Sequence, residues 1–167
     1  GGNTRGVSTL ALLPQIAKND SVILELDSWQ LQGFGDLEIS PQIAIFTNFY
    51  PDHMDYYKGD MERYFADKAN IFRYQKAGDA LFVGGSVLET VGEAHPNVAP
   101  HVPVPLPEDW RLHIVGEHNR ENASFAVSAL TVLGLSQEEI KTALETFEPV
   151  EGRLQLAREM HGINIYN

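Results

Sequence analysis

Short apolar runs alternate with stretches of helical periodicity, and that alternation constrains the fold of this chain more than any other feature. The runs are residues 21–26 (SVILEL), 42–48 (QIAIFTN), 79–83 (DALFV) and 111–115 (RLHIV). Each is long enough for a buried strand and too short for a buried helix. Strands that alternate with helices pack as a mainly parallel sheet with helices on its faces. The expected class is therefore α/β.

The helical stretches carry their own punctuation. Residues 7–17 (VSTLALLPQIA) read as a helix blemished by Pro14, which removes a donor and crowds the preceding turn. Residues 60–73 (DMERYFADKANIFR) repeat at helical spacing, with Asp60 as N-cap. Residues 119–133 form a helix stopped by Gly134, and Ser136 opens another, with Glu139 three residues on completing a capping box. Most of the prolines fall in 95–109, which reads as irregular with one short strand. The end of the chain, LQLAREMHGINIYN, reads as a hairpin turning at His161-Gly162.

Length, charge and cysteine content narrow the functional classes. The 167 residues suffice for one domain with a core. The net charge of −11 argues against nonspecific nucleic-acid binding, which needs a cationic surface. With no cysteine, disulfides and thiolate metal sites are excluded. No apolar run has transmembrane length and no signal-peptide pattern is present, so no membrane partner is expected and a cytoplasmic protein fits.

Five groups of residues could carry chemistry. Glu25 lies inside the apolar run VILEL; a carboxylate there is paired, bound to metal, or facing water from an edge strand. The loop TNFYPDHMD follows the strand at 42–48 and offers Asp52, His53 and Asp55. Ligands of open α/β sheets gather beyond the carboxyl ends of strands, and oxygen donors with one imidazole suit Mg²⁺. The alternative is a polar turn. Lys68 falls on the apolar stripe of Met61, Tyr64, Phe65 and Phe72. It either snorkels to water or is buried, which favours the neutral amine; a neutral amine can add CO₂ to give an anionic carbamate. Asn119 and Asn122 share one face of a helix start, where they can cap it or pair with an adenine edge. Arg153, in EGRLQ, is either a surface arginine or a phosphate contact. GGNTRG has the glycine content of a phosphate cradle without Gly-Lys-Ser/Thr.

Taken in order, GGN, ELDSWQL, TNFYPDHMDYY, YFADKANIF, GEHNRENA and GRLQ resemble the Mur ligase family across nearly the whole chain except residues 84–110. Asp27 and Trp29 depart from the family's usual serine and phenylalanine. The resemblance implies the central, P-loop NTPase-like ATPase domain of a three-domain enzyme. It places the P-loop before Gly1, and a UDP-binding and a C-terminal domain beyond this chain. It implies ATP-dependent amide-bond formation through an acyl phosphate, with ATP and Mg²⁺ as cofactors. UDP-N-acetylmuramoyl-L-alanine and D-glutamate would be the substrates, in peptidoglycan precursor synthesis. By resemblance, Glu25 holds one Mg²⁺, while His53 and carbamylated Lys68 hold a second. Asn119, Asn122 and Arg153 face the nucleotide, and Asn3 and Gln30 line the muramoyl side. Another amide ligase of the superfamily, such as a folylpolyglutamate synthase or a different Mur ligase, remains open, as does a non-catalytic module that keeps the fold.

Overall fold

The computed structural model describes residues 1–3, 8–94, 98–148 and 156–166. Helix α1 (Ser28–Asp36) opens on a capping box: the Asp27 carboxylate accepts the Gln30 N–H at 2.8 Å, and Gln30 Oε1 accepts the Asp27 N–H at 3.1 Å. Strand β1 (Ile43–Phe46) follows, then the single turn α2 (Met54–Tyr57). Asp60 caps α3 (Met61–Lys68) by accepting the Arg63 N–H at 2.9 Å. The helix expected over 60–73 is thus two pieces, α3 and α4 (Asn70–Arg73), divided at Ala69. The break falls where buried Asn70 turns its amide to the Leu31 carbonyl of α1 at 3.0 Å.

Strand β2 (Ala80–Val83), helix α5 (Leu88–Ala94) and strand β3 (Pro100–His101) complete the first half. Helices α6 (Glu117–Val132) and α7 (Gln137–Glu145) come next, with the expected Ser136–Glu139 capping box on α7. The terminal hairpin pairs β4 (Leu156–Met160) with β5 (Ile163–Tyr166). His161 and Gly162 turn it, both at positive φ, as the favoured two-residue hairpin turn requires.

The larger sheet runs β1-β2-β3, all parallel, with Ala44 opposite Leu81 and Phe46 opposite Val83. Those four side chains are buried, and with Phe72, Val87, Val91 and Val98 they form the main core. A second cluster of Leu106, Trp110, Ala123 and Ile140 lies under α6 and α7. The fold is the α/β arrangement expected, a parallel sheet flanked by helices. Gly84 closes the β1–β2 junction. Its N–H donates to the Phe46 carbonyl at 3.0 Å, and a Cβ there would run into the Thr47 carbonyl oxygen.

Three expected elements differ. Residues 21–26 are not a buried strand. Among the described residues their ladder partner is Gly2, at one isolated bridge to Glu25, and Val22 and Ile23 are 49% and 76% exposed. An apolar run becomes a buried strand only when neighbours cover its faces, and no described residue buries Val22 or Ile23. Residues 111–115 are not a strand either. Leu112 turns into the second core cluster, while the Arg111 N–H and the His113 ring bind Glu145 and Glu148 at 3.1 and 2.9 Å. The segment is a pad for α7 rather than a sheet member. Within 7–17 the helix is 3₁₀, Thr9–Gln15, with Pro14 inside it and Leu10 and Leu13 exposed.

Candidate functional site

The carboxyl end of β1 delivers the loop that carries His53. This residue opens α2 in the left-handed conformation, φ 55° and ψ 30°, which is uncommon outside glycine though histidine adopts it more readily than most. Asp52 holds it there: Asp52 Oδ1 accepts the His53 N–H at 2.8 Å and Oδ2 lies 3.5 Å from His53 Nε2. The imidazole packs on the indole of Trp29, with centroids 4.4 Å apart and planes tilted by 54°. Trp29 in turn meets the Tyr56 ring edge-on at 5.4 Å. The start of α1 and the loop after β1 are therefore joined by aromatic contact.

Lys68 is the last residue of α3, half-buried on the apolar stripe. Its Nζ lies 5.5 Å from the Tyr64 ring centroid and 5.7 Å from that of Phe46. Burial pushes its ammonium below the usual lysine range, opposed by the negative charges of Asp52 and then Asp27. Of the two positions open from sequence, buried and snorkelling, the structure has one between them, with the side chain half-buried on the stripe. The two opposing charges come from the His53 loop and from the α1 cap.

Glu25 is exposed, and it is not on a strand of the parallel sheet. Its backbone brackets Gly2: Glu25 N–H donates to Gly1 O at 3.1 Å, and Asn3 N–H donates to Glu25 O at 2.7 Å. Gly2 sits at φ 106°, and a Cβ there would meet the Glu25 backbone, so this crossing requires glycine. Asn3 and Glu25 are thereby neighbours, two residues before the α1 cap. Gln30 has its side-chain oxygen committed to that cap.

Asn119 and Asn122 stand on the first turns of α6, whose N-cap is Gly116. Asn119 Nδ2 donates to the Val115 carbonyl at 2.8 Å, and Asn122 is exposed. Arg153 lies outside the described residues.

Sequence reasoning missed a polar clasp beneath this group. Asp67 Oδ2 accepts from Gln32 Nε2 of α1 at 2.7 Å and from the Tyr57 hydroxyl of α2 at 3.0 Å. Tyr57 is 1% exposed; burial raises its hydroxyl pKa, Ser28 opposes the rise and Asp67 adds to it. Helical spacing puts Asp67 three residues after Tyr64, on the face that packs, but it does not say which residues pair with it.

The donor chemistry suits Mg²⁺. That ion favours one or two carboxylates completed by water and substrate oxygens, not an all-protein cage. Among the described residues no three His, Cys, Asp or Glu side chains converge as a metal site. Glu25, His53 and Lys68 as carbamate would supply the protein's share.

A profile of the Mur ligase middle domain matches residues 3–92, more than half of the chain. The chain belongs to the Mur ligase family, and this stretch is its middle domain. It is similar to the UDP-N-acetylmuramoylalanine–D-glutamate ligase of Roseiflexus sp. (strain RS-1), 32% identical over 99% of this chain and 42% of that protein. The enzyme of the same name from Acetivibrio thermocellus is 32% identical over 100% of this chain and 40% of its own length. In structure the chain resembles MurF from Acinetobacter baumannii, with a TM-score of 0.67 over 89% of this chain and 39% of that one. At 19% identity that likeness speaks to the fold alone. The chain spans about two fifths of the length of the curated relatives it matches.

Proposed function

We propose that these residues serve as the middle domain of a cytoplasmic ligase that uses ATP to join D-glutamate to UDP-N-acetylmuramoyl-L-alanine in peptidoglycan precursor synthesis. The observation that carries this reading is Lys68. Its amine is half-buried by two ring faces and feels the charge of Asp52, the neighbour of His53, in a chain about a third identical to ligases of that name.

The chemistry follows from the charges. A carboxylate oxygen of the alanyl substrate attacks the γ-phosphorus of ATP, the bond to the bridging oxygen breaks, and ADP leaves. The amine of D-glutamate then attacks the acyl carbon, loses a proton, and expels phosphate. Anionic partners must be brought together at each stage, so charge neutralisation and positioning dominate. Mg²⁺, when bound, supplies that neutralisation. The chain's own residues supply the frame. Glu25 offers a carboxylate toward the nucleotide phosphates and His53 an imidazole. Lys68 offers a carbamate, formed when the neutral amine adds CO₂ and releases a proton. Asn119 and Asn122 would face adenine, and Arg153 the ribose or phosphates. Asn3 and Gln30 would border the muramoyl substrate.

The test uses the complete ligase that contains this domain. Phosphate release from ATP should require both UDP-N-acetylmuramoyl-L-alanine and D-glutamate within a panel of acceptors and amino acids. Lys68→Ala should reduce turnover to background, with partial recovery on adding acetate. Full activity of the alanine variant without rescue would defeat the assignment of Lys68. Preference for a folate acceptor or another amino acid would defeat the assignment of substrate.

A further inference from the structure

We infer that Asp67 is a positioning residue: its carboxylate clasps α1, α2 and α3 at one oxygen and so sets where His53 stands relative to Trp29 and Lys68. The inference deepens the proposed function and rests on it for its catalytic meaning, but its geometric content can be tested alone.

The argument begins with α2. A helix of one turn cannot hold itself together in water, and this one is bounded by two left-handed residues, His53 and Lys58, both at φ 55°. Its place must be imposed by contacts from outside. Tyr57 supplies them, four residues after His53. Its ring lies 4.9 Å from that of Tyr64, and its hydroxyl donates to Asp67 Oδ2 at 3.0 Å. The same oxygen accepts from Gln32 Nε2 of α1 at 2.7 Å, and that nitrogen also reaches the Tyr56 hydroxyl at 3.3 Å. Asp67 immediately precedes Lys68, and Gln32 lies three residues beyond Trp29. One carboxylate oxygen is therefore tied to the elements that carry Lys68, His53 and Trp29. Two donors converging on one atom fix an angle between elements as well as a distance.

The reading makes geometry, not charge, the essential property. An asparagine at this position keeps an oxygen that can accept both bonds, whereas alanine keeps none.

The experiment measures the 167-residue chain by NMR, following the ring protons of His53 in proton–carbon spectra, assigned with His53→Gln. Trp29, 4.4 Å away, displaces these resonances by its ring current, and Trp29→Leu defines the undisplaced position. D67A should lose most of the displacement, and D67N should restore it. The Ile140 methyl signal, in the second core cluster, should stay in place in both. Y57F, which removes one donor without disturbing packing, should lose part of the displacement, and it serves as the decisive variant if D67A fails to fold. A native-like D67A or Y57F with the full displacement would overturn the inference, as would a D67N that behaves like D67A. None of these results depends on metal, nucleotide or turnover, so a failure here leaves the ligase reading standing, and a failed ligase assay leaves the clasp standing.

Discussion

Replacing Lys68 with methionine should stabilise the folded chain at neutral pH. Methionine keeps the length of the apolar stem, so contact with Tyr64 and Phe46 changes little. What it removes is an ammonium whose burial outweighs its favourable partners. Those partners are the carboxylates of Asp52 and Asp27 and two ring faces at 5.5 and 5.7 Å, close to the ~6 Å limit of cation–π attraction. The side chain still reaches solvent, so screening reduces the net penalty to below about 1 kcal/mol. The pH dependence gives the sharper test. The folded amine loses its proton at a lower pH than the unfolded amine, whose ordinary value is 10.5. Between the two, the unfolded chain binds more protons, so the wild type gains stability as pH rises. The advantage of Lys68→Met should therefore hold until the pH reaches the lowered value of the folded amine, shrink above it, and vanish above about 10.5. Tyr57 and Tyr64 have hydroxyls raised by burial and weaken the fold above their ordinary 10.0, but they do so in both proteins and cancel in the difference. Urea unfolding followed by circular dichroism at several pH values measures the gap. A wild type more stable than the variant at neutral pH, or a gap that widens with pH, would refute the claim that burial dominates at Lys68.

Phe72→Ala should cost about 3–5 kcal/mol in urea unfolding, because its ring is fully buried against Phe46 and Phe65; a loss below about 1 kcal/mol would mean that the site collapses freely. Gly84→Ala should destabilise by about 1–3 kcal/mol, since the added carbon meets the Thr47 carbonyl rather than a side chain that could move; unchanged stability would show that the β1–β2 junction yields. Mg-ATP should bind this 167-residue chain more weakly than about 1 mM, near −4 kcal/mol, by calorimetry. The sequence contains no Gly-Lys-Ser/Thr cradle and carries a net charge of −11, so micromolar binding would mean that another loop replaces the cradle.

Residues with strictly local causes were legible in the sequence. Asp60 and Ser136 cap helices because a short polar side chain precedes a periodic stretch, and His161-Gly162 turns a hairpin because two positive φ values are needed in succession. Lys68 was legible because helical spacing alone places it on the stripe. The failures belong to segments whose fate is decided elsewhere. SVILEL and RLHIV have strand composition, but a strand needs a ladder partner, and neither finds a sheet neighbour among the described residues. Helix α1 has a weak apolar pattern and two glycines, so its only local mark was the Asp27–Gln30 box. Helix α2 is too short for periodicity to register, and it exists because Tyr57 is pinned from α3. The clasp at Asp67 joins residues 35 and 10 positions apart, a separation at which one sequence carries no pairing information.

The surroundings of Lys68 constrain what the carbamate would need. The residue ends α3, where the last carbonyls present the negative end of the helix dipole. Asp52 and Asp27 add two carboxylates. All three favour an ammonium, and burial alone opposes it. A carbamate at the same atom would reverse every one of these terms: the dipole and both carboxylates would repel it, and half-burial would penalise its charge as well. The site is thus suited to release a proton from the amine, and poorly suited to keep the resulting anion by itself. A compensating cation must arrive with it. His53, held by Asp52 and Trp29, would share that cation. On this reading carbamate formation and divalent-ion binding are one linked equilibrium, and Asp67, by fixing α2 against α3, sets the geometry in which both partners meet the same ion.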